Sequence, residues 1–157
     1  MKPVARRVIA AATILGFLLP YGASAASKTS HCFNPGEIEA DQAVRYQAEL
    51  MVVSDTCGTE AYRNFTVHNR DQIVAYQHAL VEHFKRDGVR SPQTSLENFM
   101  TQIANEFALQ TGRELRQVVC TRSADFLAQA DSLGMTQFRL HIAQLAAANA
   151  DSYRRCK

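Results

Sequence analysis

Residues 33–58, FNPGEIEADQAVRYQAELMVVSDTCG, decide the fold, because they spell out one complete helix with its start, its stop and a cysteine at each end. Asn34 is a favourable N-cap, and Pro35 suits the first helical position, where its missing N–H would find no partner in any case. Glu37 falls at N3, within reach of the cap, and Phe33 and Ile38 occupy the two positions of a hydrophobic staple. Ala40, Ala43, Val44, Leu50, Met51 and Cys57 recur at three- and four-residue spacing. This predicts one apolar face, with Glu39, Asp41, Arg45 and Glu49 turned mostly away from it. Gly58 supplies the left-handed residue that stops the helix.

A helix of this length constrains the four cysteines. At about 1.5 Å per residue it holds Cys32 and Cys57 roughly 30 Å apart, whereas a disulfide needs Cα atoms within about 7 Å. A Cys32–Cys57 bond is excluded, and two of the three possible pairings among Cys32, Cys57, Cys120 and Cys156 remain.

Upstream, Lys2, Arg6 and Arg7 precede the apolar run from Val8 to Leu19, followed by Pro20 and Ala23-Ser24-Ala25. This is the pattern of a secretory signal with cleavage before Ala26, and its apolar run is too short for a membrane anchor, which needs about 20 residues. The expected organisation is a cleaved leader over 1–25, a short lead-in over 26–36 and a single helical domain over 37–157. The leader holds three of the 17 Lys and Arg and none of the 15 Asp and Glu, so the mature chain carries one more acid than base. No concentrated basic face is left to favour nucleic acid, and no membrane span is expected after cleavage. Export to the periplasm or cell exterior puts an even number of cysteines where disulfides persist. With no CxxC pair and no CxxCH, two bridges are expected rather than a zinc site or attached haem, and no cofactor is expected.

Downstream, Thr59 can cap a second helix running from about Glu60 to Arg86. Tyr62, Phe65, Asn69, Ile73, Tyr76, Leu80 and Phe84 line one of its faces. A loop with Pro92 and the candidate caps Ser91 and Ser95 leads to a third helix, with Leu96, Phe99, Met100, Ile103, Ala104 and Phe107 on its apolar face, stopping at Thr111-Gly112. A weaker pattern from Arg113 to Leu133 predicts a fourth helix, broken by Gly134. Thr136 caps a fifth, whose C-terminal dipole Arg154, Arg155 and Lys157 would complement. No period-2 strand or internal repeat is present, so the expected fold is all-α: an up-down bundle of four or five helices stapled by two disulfides. Alternating helices would put Cys57 and Cys120 at one end of the bundle, which favours that bond and leaves Cys32 with Cys156. The same alternation would put Cys32 and Cys156 at opposite ends. Either the last helix is displaced, or Cys32 pairs with Cys120 and Cys57 with Cys156.

Leu50-Met51-Val52, Thr56-Cys57-Gly58, Tyr62, Phe65 and Arg70, with the later Asn105-Glu106 and Cys120, carry a resemblance to a family of small exported bacterial helical proteins with no assigned activity. The likeness is concentrated in Tyr46–Phe84. It implies an exported helical protein and transfers no catalytic residue.

Candidate chemistry is sparse. His78 and Glu82 share a helix face at i,i+4 and can present two metal ligands, with His141 or His83 as a third. The competing reading is a solvated helix face. Gln47 and Asn69, polar residues within apolar stripes, either line a ligand cavity or hydrogen-bond across helices and fix register. No G-x-S-x-G elbow is present, and pairing all four cysteines leaves no thiol nucleophile. The sequon Asn64-Phe65-Thr66 reads as coincidental. The leading expectation is a non-catalytic exported protein that binds another protein or an envelope component. A binder of a small ligand or metal within the bundle is the alternative, and a hydrolase with an unrecognised site comes third.

Overall fold

A computed structural model describes residues 32–156. The expected leader at 1–25, residues 26–31 of the expected lead-in and Lys157 lie outside the described residues. Among those described there are seven α-helices and no named strand: α1 (Pro35–Cys57), α2 (Ala61–His68), α3 (Arg70–Arg86), α4 (Pro92–Thr111), α5 (Arg116–Arg122), α6 (Ala124–Ser132) and α7 (Met135–Asn149), followed by a 3-10 turn at Ala150–Ser152. None of these helices is long and apolar enough to cross a membrane.

The start and stop of α1 are built as its residues dictate. Asn34 Oδ1 accepts from Glu37 N–H at 3.0 Å while Glu37 Oε2 accepts from Asn34 N–H at 2.8 Å, which completes a capping box. Gly58 closes the helix at φ 66°, a backbone region costly for any residue with a Cβ. The predicted single apolar face is corrected, however. α1 touches every other α-helix, so it is the axis of the molecule, and Asp41, expected to point away, is only 2 % exposed. The buried Asp41 carboxylate is paired inside the protein, whereas the buried Tyr46 Oη of the same helix has no hydrogen-bond partner. Tyr153 O–H donates to Asp41, whose Oδ2 also accepts from Arg45 Nε at 2.7 Å.

Two long predicted helices are each broken. The Glu60–Arg86 helix splits at Asn69 into α2 and α3, and the Arg113–Leu133 helix becomes a turn followed by α5 and α6, split at Ser123. Asn69 sits at the first break, where its side-chain Nδ2 donates to Phe65 O at 3.0 Å, a carbonyl that also accepts from the Asn69 backbone N–H at 3.0 Å, and to Leu133 O at 2.8 Å. Asparagine side chains that bond to nearby backbone in this way disfavour a helix interior. The remaining boundaries shift by a few residues. α4 begins at Pro92, and Ser95 lies inside it; α7 begins at Met135 after Gly134, so Thr136 is not its cap. Arg154 and Arg155 lie beyond the 3-10 turn rather than in the last turn of α7.

The structure bonds Cys57 to Cys120 and Cys32 to Cys156, with Cα separations of 5.5 and 4.9 Å. The broken helices explain how both bonds close. α5 begins beside the C-terminal end of α1, where Cys120 meets Cys57, and the tail after α7 ends beside its N-terminal end. There Phe33 N–H donates to Arg154 O at 2.8 Å and Cys156 N–H to Phe33 O at 3.1 Å. Three short helices therefore make one return pass along α1. Simple alternation of five long helices does not provide this.

The core fills the space between these passes. Tyr46 of α1 sits in an aromatic cluster with Phe65, Phe126, Phe138 and His141, at ring-centroid distances of 5.2–5.9 Å. Phe65 and Phe138 are fully buried, as are Leu50 and Ile142. Clusters of this kind add edge-to-face attraction to the burial of apolar area.

Candidate functional site

Among the described residues, two adjoining open spaces lie where α1, α2 and α4 fail to close on one another. Small residues on facing turns are the reason: Ala48 on α1 and Ala104 and Ala108 on α4 leave room that larger side chains would fill. The result is a cleft with two compartments that share Met51 and Tyr62 as a common wall. The wide compartment, about 770 Å³, lies near the Cys57–Cys120 end and carries Asp55, Arg63, Glu114 and Arg116. Two of these charges are already paired, Arg63 with Glu60 at 3.1 Å and Glu114 with Arg122 at 2.7 Å. The narrower compartment, about 440 Å³, is walled by Ala48, Met51, Met100 and Ala104, with Gln47 and Tyr62 as its inner polar pair and Glu97, Thr101 and Asn105 at its exposed rim. Both volumes fall in the range of small-molecule sites.

Gln47 is buried at 9 % exposure, yet it lines the narrow compartment. Its Nε2 donates to Tyr62 Oη across a long 3.4 Å. That contact leaves the Tyr62 proton and the Gln47 Oε1 acceptor available to a third group. Asn69, the other polar residue in an apolar stripe, is placed differently. It is fully buried, and both of its side-chain hydrogen bonds go to backbone carbonyls, so it serves the α2–α3 break and not the cleft. The two residues are not brought together in one cavity.

The candidate metal ligands are also separated. His78 Nε2 and Glu82 Oε1 lie 3.7 Å apart on an exposed face of α3, and Lys85 Nζ approaches the same carboxylate at 2.6 Å. Lys85 holds Glu82 below the ordinary carboxylate range. His141 is half-buried with its ring edge-on to Tyr46, and burial pushes its pKa down. No group of three His, Cys, Asp or Glu side chains among the described residues is arranged to hold a metal ion. Asn64, of the sequon, sits within α2 and donates to Asp131 Oδ1 at 2.7 Å.

The sequence reading missed a buried ionic clasp at the opposite end of α1. Arg86 grips Glu37 with both terminal nitrogens and donates to Cys32 O at 2.6 Å, tying the end of α3 to the start of the domain. His83, 3 % exposed, lies between Glu37 and Asp87 at 3.4 and 3.5 Å, beneath the stacked ring of Phe33 at 4.2 Å. Burial opposes ionisation of Glu37. Hydrogen bonds from Arg86 and the Asn34 backbone, with the charges of Arg86 and His83, outweigh it and hold the carboxyl below its ordinary range. Arg86 Nη2 also lies 2.9 Å from His83 Nδ1. Arg86 and His83 are three residues apart on α3, and this spacing was the available signal. Their partner Glu37 lies 49 positions from Arg86 in the chain, beyond the reach of any local pattern.

Comparison of the chain with protein-family models, with curated proteins and with solved structures finds no match.

Proposed function

We propose that the mature chain is an exported, non-catalytic binding protein, and that the cleft between α1, α2 and α4 is where it binds. The observation that carries this reading is the narrow compartment, in which a nearly buried Gln47 and the Tyr62 hydroxyl converge on space walled by alanine and methionine. Apolar walls with a few convergent polar groups are what a ligand site requires. The rest of the molecule supplies rigidity. We read its passes as an up-down bundle whose second and fourth arms are broken, stapled at both ends by disulfides. The leader at 1–25 directs the domain to the periplasm or cell exterior, where such bonds persist. The resemblance to small exported helical proteins is in keeping with this. The partner class is an envelope or extracellular component. Metal binding at His78, Glu82 and His141 has less support, because His78 and Glu82 share an exposed face of α3 while His141 packs against Tyr46.

Native mass spectrometry of the mature protein, isolated gently from its producing cell without tags or chelators, tests the reading. A bound small mass or partner chain that is lost when the cleft is filled by Thr101→Trp supports it. A bound mass that survives the substitution moves binding elsewhere on the molecule.

A further inference from the structure

Resting on that cleft as the binding site, we infer that its narrow compartment takes the chain of an uncharged amphiphile, with Gln47 and Tyr62 receiving a neutral head group such as a carboxamide or hydroxyl. The compartment follows α4 from Glu97 to Asn105, roughly 12 Å along the helix axis, so it suits a slender elongated body. Its apolar walls are Ala48, Met51, Met100 and Ala104, while Thr101 and Asn105 stand at its exposed rim; methionines adapt their shape to flexible chains and offer no hydrogen bond of consequence. The polar pair sets the head group. Tyr62 already accepts from Gln47 Nε2 and has its proton to give, while Gln47 Oε1 has a lone pair to offer. A carboxamide, or a hydroxyl acting as both donor and acceptor, satisfies both.

A charged head group fits poorly for two reasons. Neither Gln47 nor Tyr62 carries a charge to neutralise it, and removing an ion from water without a partner is costly. The one charged residue on this compartment is Glu97, at its exposed rim, which repels an anion in particular. The arginines of the cleft, Arg63 and Arg116, belong to the wide compartment on the far side of Met51 and Tyr62.

The test uses the mature, fully oxidised protein and the uncharged fluorescent probe phenylnaphthylamine, displaced in turn by decanamide, decanoate and decyltrimethylammonium. Decanamide should displace the probe at about a tenfold lower concentration than either ion. Gln47→Leu should keep probe binding and reduce that preference to threefold or less. Ala104→Phe should block the compartment; because Ala104 also packs against the core, Thr101→Trp does the same from an exposed rim position, and circular dichroism checks the fold of both variants. Equal or stronger displacement by an ion, or an unchanged preference in Gln47→Leu, overturns the neutral-ligand inference and leaves the cleft standing as a binding site. Probe binding that is absent, or undiminished in both blocked variants, overturns the cleft itself.

Discussion

Asn69 donates from its side-chain Nδ2 to the backbone carbonyl of Leu133 at 2.8 Å, with no solvent access, and so joins the α2–α3 break to the end of α6. Removing a buried donor leaves its acceptor without a partner, a loss of about 1–3 kcal/mol. Asn69→Leu, similar in size, should therefore lower stability by about that amount in a denaturant melt at neutral pH. A change under about 0.5 kcal/mol, the range of a surface substitution, would mean that the bond is not what fixes the break.

That residue also shows where sequence reasoning stops. Periodicity placed Asn69 correctly in the apolar stripe from Tyr62 to Phe84, but periodicity is blind to a hydrogen bond whose acceptor lies 64 positions away. α1 was legible because its signals are local: Asn34, Pro35, Glu37 and Gly58 act within a few residues of one another. Its environment was not. A helix that touches every other helix carries buried polar groups whose partners, Arg86 for Glu37 and Tyr153 for Asp41, come from distant segments. The cleft was half legible. Gln47 stood out as a polar residue in an apolar stripe, whereas the alanines that make the room on α4 look like ordinary core positions. The exposed pair His78 and Glu82 fits the solvated helix face that competed with the metal reading.

The two disulfides should respond differently to reductant. Cys156 is exposed in the terminal tail, whereas Cys57 and Cys120 are both partly buried, and thiolate attack needs access to a sulfur. Under limiting dithiothreitol at neutral pH, mass mapping after alkylation should find Cys32 and Cys156 modified before Cys57 and Cys120. Both bonds close long loops, with separations of 124 and 63 residues, so loss of either should cost about 2–5 kcal/mol. Simultaneous modification of all four would point to opening through global unfolding instead.

Glu37 makes the domain acid-sensitive in a defined direction. Its folded pKa lies below the ordinary 4.5, so its contribution is fully present above that value and is lost as pH falls through the depressed pKa. Glu37→Gln keeps the size of the side chain but removes the charge that meets Arg86. Because Arg86 is itself 41 % exposed and remains hydrated, the cost at pH 7 should be modest, about 1.5 kcal/mol. The gap between wild type and variant should then narrow as pH drops below 4.5. Denaturant titrations at neutral and acid pH measure both; a gap that is constant across them would remove the clasp from the acid response.

Tyr153 imposes the opposite limit at alkaline pH. Burial, the hydrogen bond to Asp41 and the charge of that carboxylate push its pKa up to about 12, while burial and the charge of Glu49 raise Tyr46 to about 12 as well. In the unfolded chain both tyrosines ionise near the ordinary 10.0, so the stability they confer is complete below pH 10 and lost progressively between 10 and 12. Tyr153→Phe removes the donor to Asp41, a carboxylate only 2 % exposed that keeps Arg45, and should cost about 1–2 kcal/mol at pH 7. The variant also lacks one of the late-ionising phenols, so its stability should decline less steeply above pH 10 and approach that of wild type. Tyrosinate absorbance, followed together with unfolding from pH 9 to 12, gives the comparison. Parallel declines in the two proteins would show that Tyr153 ionises without penalty in the folded state.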